Sequence, residues 1–429
     1  MASAPLPLEA SPIVFGTDGW RGLLGVDITV ERLLPVAAAA ARELAASAPA
    51  DLSSREVVLG YDRRFLAPEL AEAIAAAVRG AGLEPLLAAS PTPTPASSWA
   101  VLERGALGAL VITASHNPPE WLGLKIKGPF GGSVEGDFTQ RVERRLAAGG
   151  LTVPMAADTQ RFDALGAYVA GLRAKVDVAA LAAGLDRLGL RVIVDPMHGS
   201  AAGVLPALLG EDAVNAGVIR EIRANRDPLF GGHPPEPLAA YLEELIKAVR
   251  ASTEAGQPAM GIVFDGDGDR IAAVDERGRF CSTQLLMPLF IDHLARVRQL
   301  PGSVIKTVSG SDLMALVAGG LPLGQRLDGL QARCGGAAAY DRLDLRLADM
   351  AARERLEARL AAEPPAAVAG EPVLEVIRTD GVKLRLGPSH WLMLRFSGTE
   401  PLLRLYCEAP DSAQVDAVLD WARQLAESI

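Results

Sequence analysis

The chain has 429 residues and a formal net charge of −10, and at roughly 150 residues per domain its length predicts about three domains. Hydrophobic residues make up 49% of the chain, which is enough to bury a large core and excludes disorder as the dominant state. The negative charge argues against a protein that binds nucleic acid or an anionic membrane, because both partners require a basic face.

The cysteines and the N-terminal segment indicate the compartment. Cys281, Cys334 and Cys407 are few and odd in number, which favours a reducing cytosol over secretion. The segment from Met1 to Pro12 lacks the basic start and apolar run of a signal peptide. No apolar stretch reaches the roughly 18 residues of a transmembrane helix. We therefore expect a cytoplasmic protein that does not span a membrane.

Short apolar runs alternate with longer segments of helical periodicity, and this order is typical of α/β domains built on parallel sheets. From Val373 to Glu408 the pattern changes to antiparallel strands, followed by a closing helix over 413–428. We expect an α/β fold, with successive parallel-sheet domains around a central cleft and a small C-terminal α+β domain. Strands are predicted at 56–60, 109–112, 190–194, 260–264 and 304–308, and helices at 68–79 and 140–148.

The first polar loop in chain order is Phe15-Gly16-Thr17-Asp18-Gly19-Trp20-Arg21-Gly22. Its three glycines permit tight turns and a close approach of the backbone to a ligand. Arg21 is suited to a bidentate contact with phosphate. Taken alone, the segment is equally compatible with a surface turn that carries a solvated arginine.

The second loop, Thr113-Ala114-Ser115-His116-Asn117-Pro118-Pro119, directly follows a predicted strand. Two prolines make the turn rigid, and Ser115 is placed to act as a nucleophile or a phosphate carrier, with His116 beside it. The Gly-x-Ser-x-Gly elbow of α/β-hydrolases is absent. Lys125 and Lys127 share one face if their segment is extended, although two such lysines, taken alone, more often mark a solvated strand edge.

The third loop is Asp265-Gly266-Asp267-Gly268-Asp269-Arg270. Three carboxylates at alternate positions are suited to one hard cation, and Mg²⁺ fits because it prefers oxygen ligands and leaves positions for a phosphate. A calcium-binding EF-hand loop has the same acidic spacing, but Arg270 stands where that loop needs glycine and both flanks have strand patterns. We therefore reject the calcium interpretation.

The fourth loop, Arg395-Phe396-Ser397-Gly398-Thr399-Glu400-Pro401, follows the apolar run that ends at Leu394. Its backbone amides, two hydroxyls and Arg395, together with Arg404, are suited to holding an anion. A hairpin turn with incidental hydroxyls is the alternative. The four loops in combination predict phosphoryl transfer on a phosphorylated small molecule. The sequence lacks the Walker A loop and the kinase motif set, so a nucleotide donor is not implied.

In order and spacing, these loops resemble the four signature loops of the phosphoglucomutase/phosphomannomutase family, the α-D-phosphohexomutases. The Thr-Ala-Ser-His-Asn-Pro and Asp-Gly-Asp-Gly-Asp-Arg motifs are highly specific together, and the resemblance extends over nearly the whole chain. Gly60-Tyr61-Asp62-Arg63 and the segment from Asp195 to Gly199 also resemble the family. The resemblance implies four domains: 1–150 with a phosphoserine loop, 151–278 with a metal loop, 279–340 shortened, and 341–429 with a phosphate-binding loop.

The resemblance also implies a mechanism in which Ser115 donates a phosphoryl group to a hexose monophosphate. The resulting bisphosphate turns over in the cleft and returns its other phosphate to Ser115, with Mg²⁺ neutralising charge and glucose 1,6-bisphosphate as activator. The metal ligands are expected to be Ser115, Asp265, Asp267 and Asp269. Lys125 matches a general acid or base, Arg21 and His116 match residues near the phosphoserine, and Lys306 aligns loosely with a further proton-transfer residue. The substrate and phosphate contacts implied are Arg270, Lys306, Arg395, Ser397, Gly398, Thr399 and Arg404.

The sequence departs from the family in its third domain. The family's Gly-Glu-x-Ser-Gly loop, which recognises the sugar hydroxyls, has no counterpart, and the nearest candidate, Cys334-Gly335-Gly336-Ala337, lacks both Glu and Ser. Without those groups the orientation of the sugar and its identity are both less determined. A shortened third domain also leaves a sheet edge and apolar helix faces, such as that of 285–294, short of partners. Either the chain is truncated with impaired activity, or a partner chain covers these surfaces.

We expect a phosphohexomutase acting on glucose phosphates, as a monomer or homodimer, with Trp20 in the first loop as the argument for glucose. The alternatives are a phosphoglucosamine or phosphomannose mutase, a weakly active or inactive remnant that binds sugar phosphate or a partner, and a weak phosphatase.

Overall fold

The computed structural model describes residues 9–16, 19–149, 159–300, 339–387, 390–396 and 401–428. The chain divides into two compact units, Met1–Phe280 and Cys281–Ile429. In the described part of the chain, every helix is too short or too polar to cross a membrane.

The first unit begins with a six-stranded mixed sheet covered by helices. Buried apolar runs such as Gly108–Ile112 fill its centre, as expected of strands covered on both faces. The strands are β1 (Trp20–Leu23), β2 (Glu56–Tyr61), β3 (Glu84–Ala88), β4 (Gly108–Ile112), β5 (Trp121–Lys127) and β6 (Gln160–Phe162), in the order β1-β5-β4-β2-β3-β6. The helices are α1 (Val30–Ala46), α2 (Ala67–Gly80), α3 (Thr94–Arg104) and α4 (Gly136–Ala148).

A five-stranded sheet follows in the order β11-β10-β9-β7-β8. Its strands are β7 (Arg191–Asp195), β8 (Ile219–Glu221), β9 (Ala259–Phe264), β10 (Ile271–Val274) and β11 (Phe280–Cys281), the last lying at the boundary between the units. The accompanying helices are α5 (Ala164–Lys175), α6 (Val178–Leu188), α7 (Val204–Leu209), α8 (Glu211–Asn215) and α9 (Glu243–Glu254), with 3₁₀ turns at Phe230–Gly232 and Ala239–Tyr241.

The second unit contains an antiparallel sheet packed on two helices. Alternate residues such as Leu392, Leu394, Leu403 and Leu405 face the helices and form the core. The elements are α10 (Thr283–Asp292) with a π-helical turn at His293–Val297, β12 (Ala339–Arg346), α11 (Met350–Ala362), β13 (Ala367–Val368), β14 (Glu371–Pro372), β15 (Glu375–Ile377), β16 (Val382–Gly387), β17 (His390–Phe396), β18 (Leu402–Ala409) and α12 (Ser412–Glu427). The main sheet has the order β12-β18-β17-β16-β15, and β13 pairs with β14.

The expected class, α/β sheets followed by a C-terminal α+β region, is confirmed. The first two sheets add antiparallel strands to their parallel centres: β5 pairs antiparallel with β4 and with β1, and β10 with β9. The reason is that β4–β5 and β9–β10 are joined by connections too short for a parallel crossover. These two connections carry the second and third polar loops. The strand predicted at 304–308 lies outside the described residues.

Candidate active site

Ser115 lies just beyond the carboxyl end of β4, in the connection to β5. Its side chain is buried, and its backbone has a φ of 52°, a left-handed conformation that is strained for a residue with a side chain. The Ser115 N–H donates to Thr113 Oγ1 at 2.8 Å. In open α/β sheets ligands bind at the carboxyl ends of the strands, so the nucleophile predicted from the sequence occupies the expected edge.

The three predicted carboxylates lie in the tight turn between β9 and β10. Asp265 Oδ1 accepts hydrogen bonds from the backbone N–H groups of Asp269 and Arg270, both at 3.0 Å. These bonds close the turn, so that one oxygen from each of Asp265, Asp267 and Asp269 lies within 4.8 Å of the others. The alternation of glycine and aspartate therefore produces one convergent acidic group.

The two loops meet within the first unit. Ser115 Oγ donates a hydrogen bond of 2.8 Å to Asp265 Oδ2. The two backbones also approach closely, because a Cβ added to Gly266 would lie only 2.5 Å from the Ser115 carbonyl oxygen. Glycine at position 266 thus allows the metal loop (residues 265–270) to approach the serine loop (residues 113–119).

Lys125 completes the group from the neighbouring strand β5. Its Nζ lies 2.8 Å from Asp267 Oδ2 and 2.7 Å from Asp269 Oδ2, and its side chain is 1% exposed. Lys127, two residues further along β5, instead donates to Ser133 Oγ at 2.9 Å. Of the two lysines, Lys125 therefore makes the contacts with the acidic group.

The pKa values of Asp265 and Asp267 are shifted in opposite directions. Burial, together with the charges of Asp267 and Asp269, holds the pKa of Asp265 well above its usual range. Burial alone would also raise the pKa of Asp267, but the charge and hydrogen bond of Lys125 and a hydrogen bond from Thr94 hold that pKa below its usual range. Three carboxylates this close repel one another, which favours a cation among them.

The surroundings of one oxygen, Asp267 Oδ1, indicate whether the three aspartates fit a metal ion. Asp267 Oδ2 is occupied by Lys125 and Thr94, whereas Asp267 Oδ1 is buried and has no hydrogen-bond partner among the described residues. A buried carboxylate oxygen without a partner is costly. A hard cation bound by oxygen ligands would satisfy it, so the residues present fit Mg²⁺.

Three further predicted residues surround the serine loop or the metal loop. His116 Nδ1 lies 3.4 Å from Ser115 Oγ. Arg21 Nη1 donates to Asn117 Oδ1 at 2.9 Å, which ties the first polar loop to the second. Arg270 extends from the metal loop, with Nη1 3.6 Å from Glu236 Oε1 and 42% of its side chain exposed.

Two of the remaining predicted residues, Arg395 and Arg404, are described in the second unit. Arg395 pairs with Asp380, with Nε 3.0 Å from the carboxylate, and its Cα partner across β17 and β18 is Arg404. Arg404 Nε lies 3.8 Å from Asp344 Oδ2. Lys306, Ser397, Gly398 and Thr399 lie outside the described residues.

Two residues of the site were missed from the sequence. Thr94, at the start of α3, donates from Oγ1 to Asp267 Oδ2 at 2.7 Å and from its backbone N to Asp267 O at 2.8 Å. Arg64, after β2, donates to the Ser115 carbonyl oxygen at 2.8 Å. Both follow the carboxyl ends of parallel strands, where ligands bind in open α/β sheets. Examining the residues after every predicted strand would have found them.

Trp20 does not contribute to the site as expected. Its side chain is 2% exposed and packs in the core beneath the first sheet, because alternation along β1 directs it inward while Arg21 faces the other way. Trp20 is therefore no argument for a particular sugar.

Three family models match the chain. They describe the phosphoglucomutase/phosphomannomutase α/β/α domain I over residues 12–152, the α/β/α domain II over residues 166–278, and the C-terminal domain over residues 345–424.

Relatives match over nearly their full lengths. A phosphoglucosamine mutase from Halorhodospira halophila is 32% identical, covering 96% of each chain. One from Rhodococcus jostii is 30% identical, covering 97% of this chain and 98% of the relative. Among solved structures, a proposed phosphomannomutase from Thermus thermophilus superposes with a TM-score of 0.78 at 26% identity, covering 97% of this chain and 100% of the other. The chain belongs to the phosphoglucomutase/phosphomannomutase family, and it is an isomerase of the phosphohexomutase type.

Proposed function

We propose that the chain is a phosphoglucosamine mutase that moves a phosphoryl group between two hydroxyls of glucosamine phosphate through a phosphorylated Ser115. The observation that carries the mutase chemistry is the 2.8 Å contact between Ser115 Oγ and Asp265, inside a group of three aspartates and a buried lysine. The choice of glucosamine rests on the relatives, because those of Halorhodospira halophila and Rhodococcus jostii are both phosphoglucosamine mutases.

In the first half-reaction the bond from phosphorus to Ser115 Oγ breaks as a bond forms from phosphorus to a sugar hydroxyl. The hydroxyl loses a proton and Ser115 Oγ gains one. His116 Nδ1, at 3.4 Å, is placed to exchange the proton on Ser115 Oγ. Lys125, held by Asp267 and Asp269, is the proposed proton partner of the sugar hydroxyl: as the neutral amine it accepts the proton that this hydroxyl loses, and as the ammonium it returns that proton in the second half-reaction. The second half-reaction reverses these steps with the other phosphate.

Asp265, Asp267 and Asp269, with an oxygen of the Ser115 phosphate, would hold Mg²⁺. The ion would stabilise the charge that develops on the transferred phosphoryl oxygens. Arg21 fixes the turn that carries Ser115 through Asn117. We further propose that Arg270 contacts the substrate, and that Arg395 and Arg404 with the Ser397–Thr399 loop bind the phosphate that is not transferred.

The missing Glu and Ser of the third-domain loop make an inactive remnant the competing hypothesis. The complete metal group argues against it, because a chain without phosphoryl-transfer chemistry has no use for a nucleophilic serine beside three converging carboxylates.

The test is a substrate panel measured with purified protein, Mg²⁺ and a trace of the matching hexose 1,6-bisphosphate. Glucosamine, glucose and mannose phosphates are compared by kcat/KM, and release of inorganic phosphate is followed in parallel. We expect the highest kcat/KM with glucosamine phosphate and no turnover in Ser115→Ala. A preference for glucose phosphates would restore the glucose hypothesis, phosphate release without isomerisation would indicate a phosphatase, and a folded, metal-binding but inactive protein would indicate a remnant.

A further inference from the structure

Arg64 is a buried arginine whose two terminal nitrogens donate to backbone carbonyl groups between Ser115 and Trp121. Its side chain is 1% exposed, and Nη1 donates to the carbonyl oxygens of Pro118 and Trp121 at 2.7 and 3.0 Å. Nη2 donates to the carbonyl oxygens of Ser115 and Asn117 at 2.8 and 2.6 Å. Burying a guanidinium is expensive unless its donors are satisfied, and here four of them hold one short segment of backbone.

Asp62 holds the other side of Ser115. Asp62 Oδ2 lies 3.2 Å from Arg64 Nε and accepts a 2.6 Å hydrogen bond from Thr113 Oγ1. The Thr113 hydroxyl has a single hydrogen, and it is donated to Asp62. Its oxygen lone pair is therefore available to the Ser115 N–H, which donates to it at 2.8 Å.

Both peptide groups that flank the Ser115 Cα are therefore fixed by one ion pair. The N–H side is held by Asp62 through Thr113, and the C=O side is held directly by Arg64. Strained conformations persist only where the surroundings over-determine them. The φ of 52° at Ser115 is such a conformation, and it directs Oγ to Asp265.

The opposite side of the guanidinium packs on the segment that follows β8. The Phe230 ring lies 4.9 Å from the Arg64 Cζ and is 2% exposed. Arg226 Nη2 donates to the Arg64 carbonyl oxygen at 3.1 Å, and Arg63 Nη1 donates to the Ala224 carbonyl oxygen at 2.6 Å. Arg64 thus contacts both the serine loop and the segment 226–230, which follows β8.

We propose that Asp62 and Arg64 form a clamp that holds the Ser115 backbone in its left-handed conformation, so that Oγ meets the metal-binding carboxylates. Arg64 is then a positioning residue for phosphoryl transfer. The proposal rests on the proposed function for its kinetic consequences. The state of the backbone is measurable without any substrate.

The test uses the full-length Arg64→Ala protein with and without millimolar guanidinium, below denaturing concentrations. Because a misplaced reacting group costs on the order of a hundredfold in rate, we expect kcat to fall by about that factor while KM changes little. Guanidinium should restore a measurable part of kcat. The matched control is Arg104→Ala, which removes another arginine that makes two side-chain hydrogen bonds, here to Glu56 at the amino end of β2. It should keep its kcat and show no response to guanidinium.

Hydrogen–deuterium exchange of the peptide covering residues 111–121 supplies a readout independent of catalysis. We expect faster exchange in Arg64→Ala, partial restoration by guanidinium, and no change in the Arg104→Ala control. Thr113→Val is the second variant, because it breaks the N–H side of the clamp without removing a charge. It should lower kcat by at least about tenfold, as loss of a positioning hydrogen bond does, and accelerate exchange in the same peptide.

The outcomes separate clearly. Variants whose kcat stays within twofold of wild type and whose exchange is unchanged would overturn the clamp. Exchange that rises throughout the first unit, with no response to guanidinium, would assign Arg64 a general stabilising role and would also overturn it. If the wild type has no mutase activity but the exchange effects appear as described, the proposed function fails while the clamp is supported.

Discussion

Ser115 Oγ lies 2.8 Å from Asp265 Oδ2, although 150 positions separate the two residues in the chain. The contact joins the loop after β4 in the first sheet to the turn after β9 in the second. Each loop alone supplies only part of the chemistry: the first a hydroxyl, the second a group of carboxylates. Their contact brings a nucleophile to three carboxylates, and the mutase hypothesis depends on this relationship.

Replacing Ser115 by Ala is expected to abolish both turnover and the phosphorylated form of the protein. The side chain makes one short hydrogen bond, to Asp265, so the melting temperature should change by only a few degrees. Intact-protein mass spectrometry after incubation with a hexose 1,6-bisphosphate measures the phosphorylated fraction. Ser54→Ala, just before the amino end of β2 and far from the serine loop in the sheet, is the control. This variant should still be fully phosphorylated. Phosphorylation that persists in Ser115→Ala would place the phosphate on another residue.

Replacing Asp267 by Asn is expected to weaken Mg²⁺ binding by at least about tenfold, because one of the three proposed metal ligands loses its charge. Calorimetric titration of Mg²⁺ into the resting protein measures this without substrate. Asp212→Asn, on the exposed surface of α8, is the matched control. Removing divalent ions with a chelator should stop wild-type turnover, and added Mg²⁺ should restore it. Unchanged Mg²⁺ affinity in Asp267→Asn would show that the ion binds elsewhere.

Replacing Lys125 by Met is expected to destabilise the protein by about 3–5 kcal/mol, because it leaves Asp267 and Asp269 close together without their buried counter-charge. Mg²⁺ should recover more stability in this variant than in wild type, since the ion replaces the missing positive charge. Lys127→Met removes a lysine from the same strand that contacts Ser133, and should retain activity. Thermal unfolding with and without Mg²⁺ tests the prediction. An equal response of both variants to Mg²⁺ would contradict it.

Replacing Trp20 by Phe is expected to leave the preference between glucosamine and glucose phosphates unchanged. The indole is buried in the core, so the smaller phenyl ring should cost about 1–3 kcal/mol of stability through the cavity that it leaves. The ratio of kcat/KM values for the two sugars is the decisive quantity. A shift of that ratio in a well-folded variant would return Trp20 to sugar recognition.

Replacing Glu43 by Gln should change how stability depends on pH. Burial alone would raise the pKa of Glu43, but hydrogen bonds from Arg141, Arg145 and Ser47 hold it below its usual range. A lowered folded-state pKa stabilises the protein above the ordinary glutamate pKa, and the stabilisation disappears as pH falls through the lowered value. The variant should therefore be less stable than wild type by roughly 1 kcal/mol at neutral pH. Melting curves from pH 7 to pH 3 should converge, and a constant difference would contradict the prediction.

The residue types of the site could be recognised in the sequence because each motif is a short contiguous segment. Asp265, Asp267 and Asp269 lie within five residues, and Ser115 follows an apolar run that ends at Ile112. Apolar periodicity likewise predicted the strands and helices on which these loops sit. Chemistry that is carried by one short turn, between elements of clear period, can be inferred without coordinates.

The tertiary structure decided what those loops meet. Thr94 contacts the metal loop and Arg64 contacts the serine loop, because parallel strands bring their carboxyl ends to one side of the sheet. Neither residue belongs to a sequence motif that would have identified it. Trp20 belongs to a polar loop motif, but its side chain is buried in the hydrophobic core, because the alternation of side chains along β1 directs it inward. The sequence by itself determined the fold class and the chemical groups. Only packing between distant segments determined which groups touch, because their mutual distances depend on how the sheets and their connecting loops assemble.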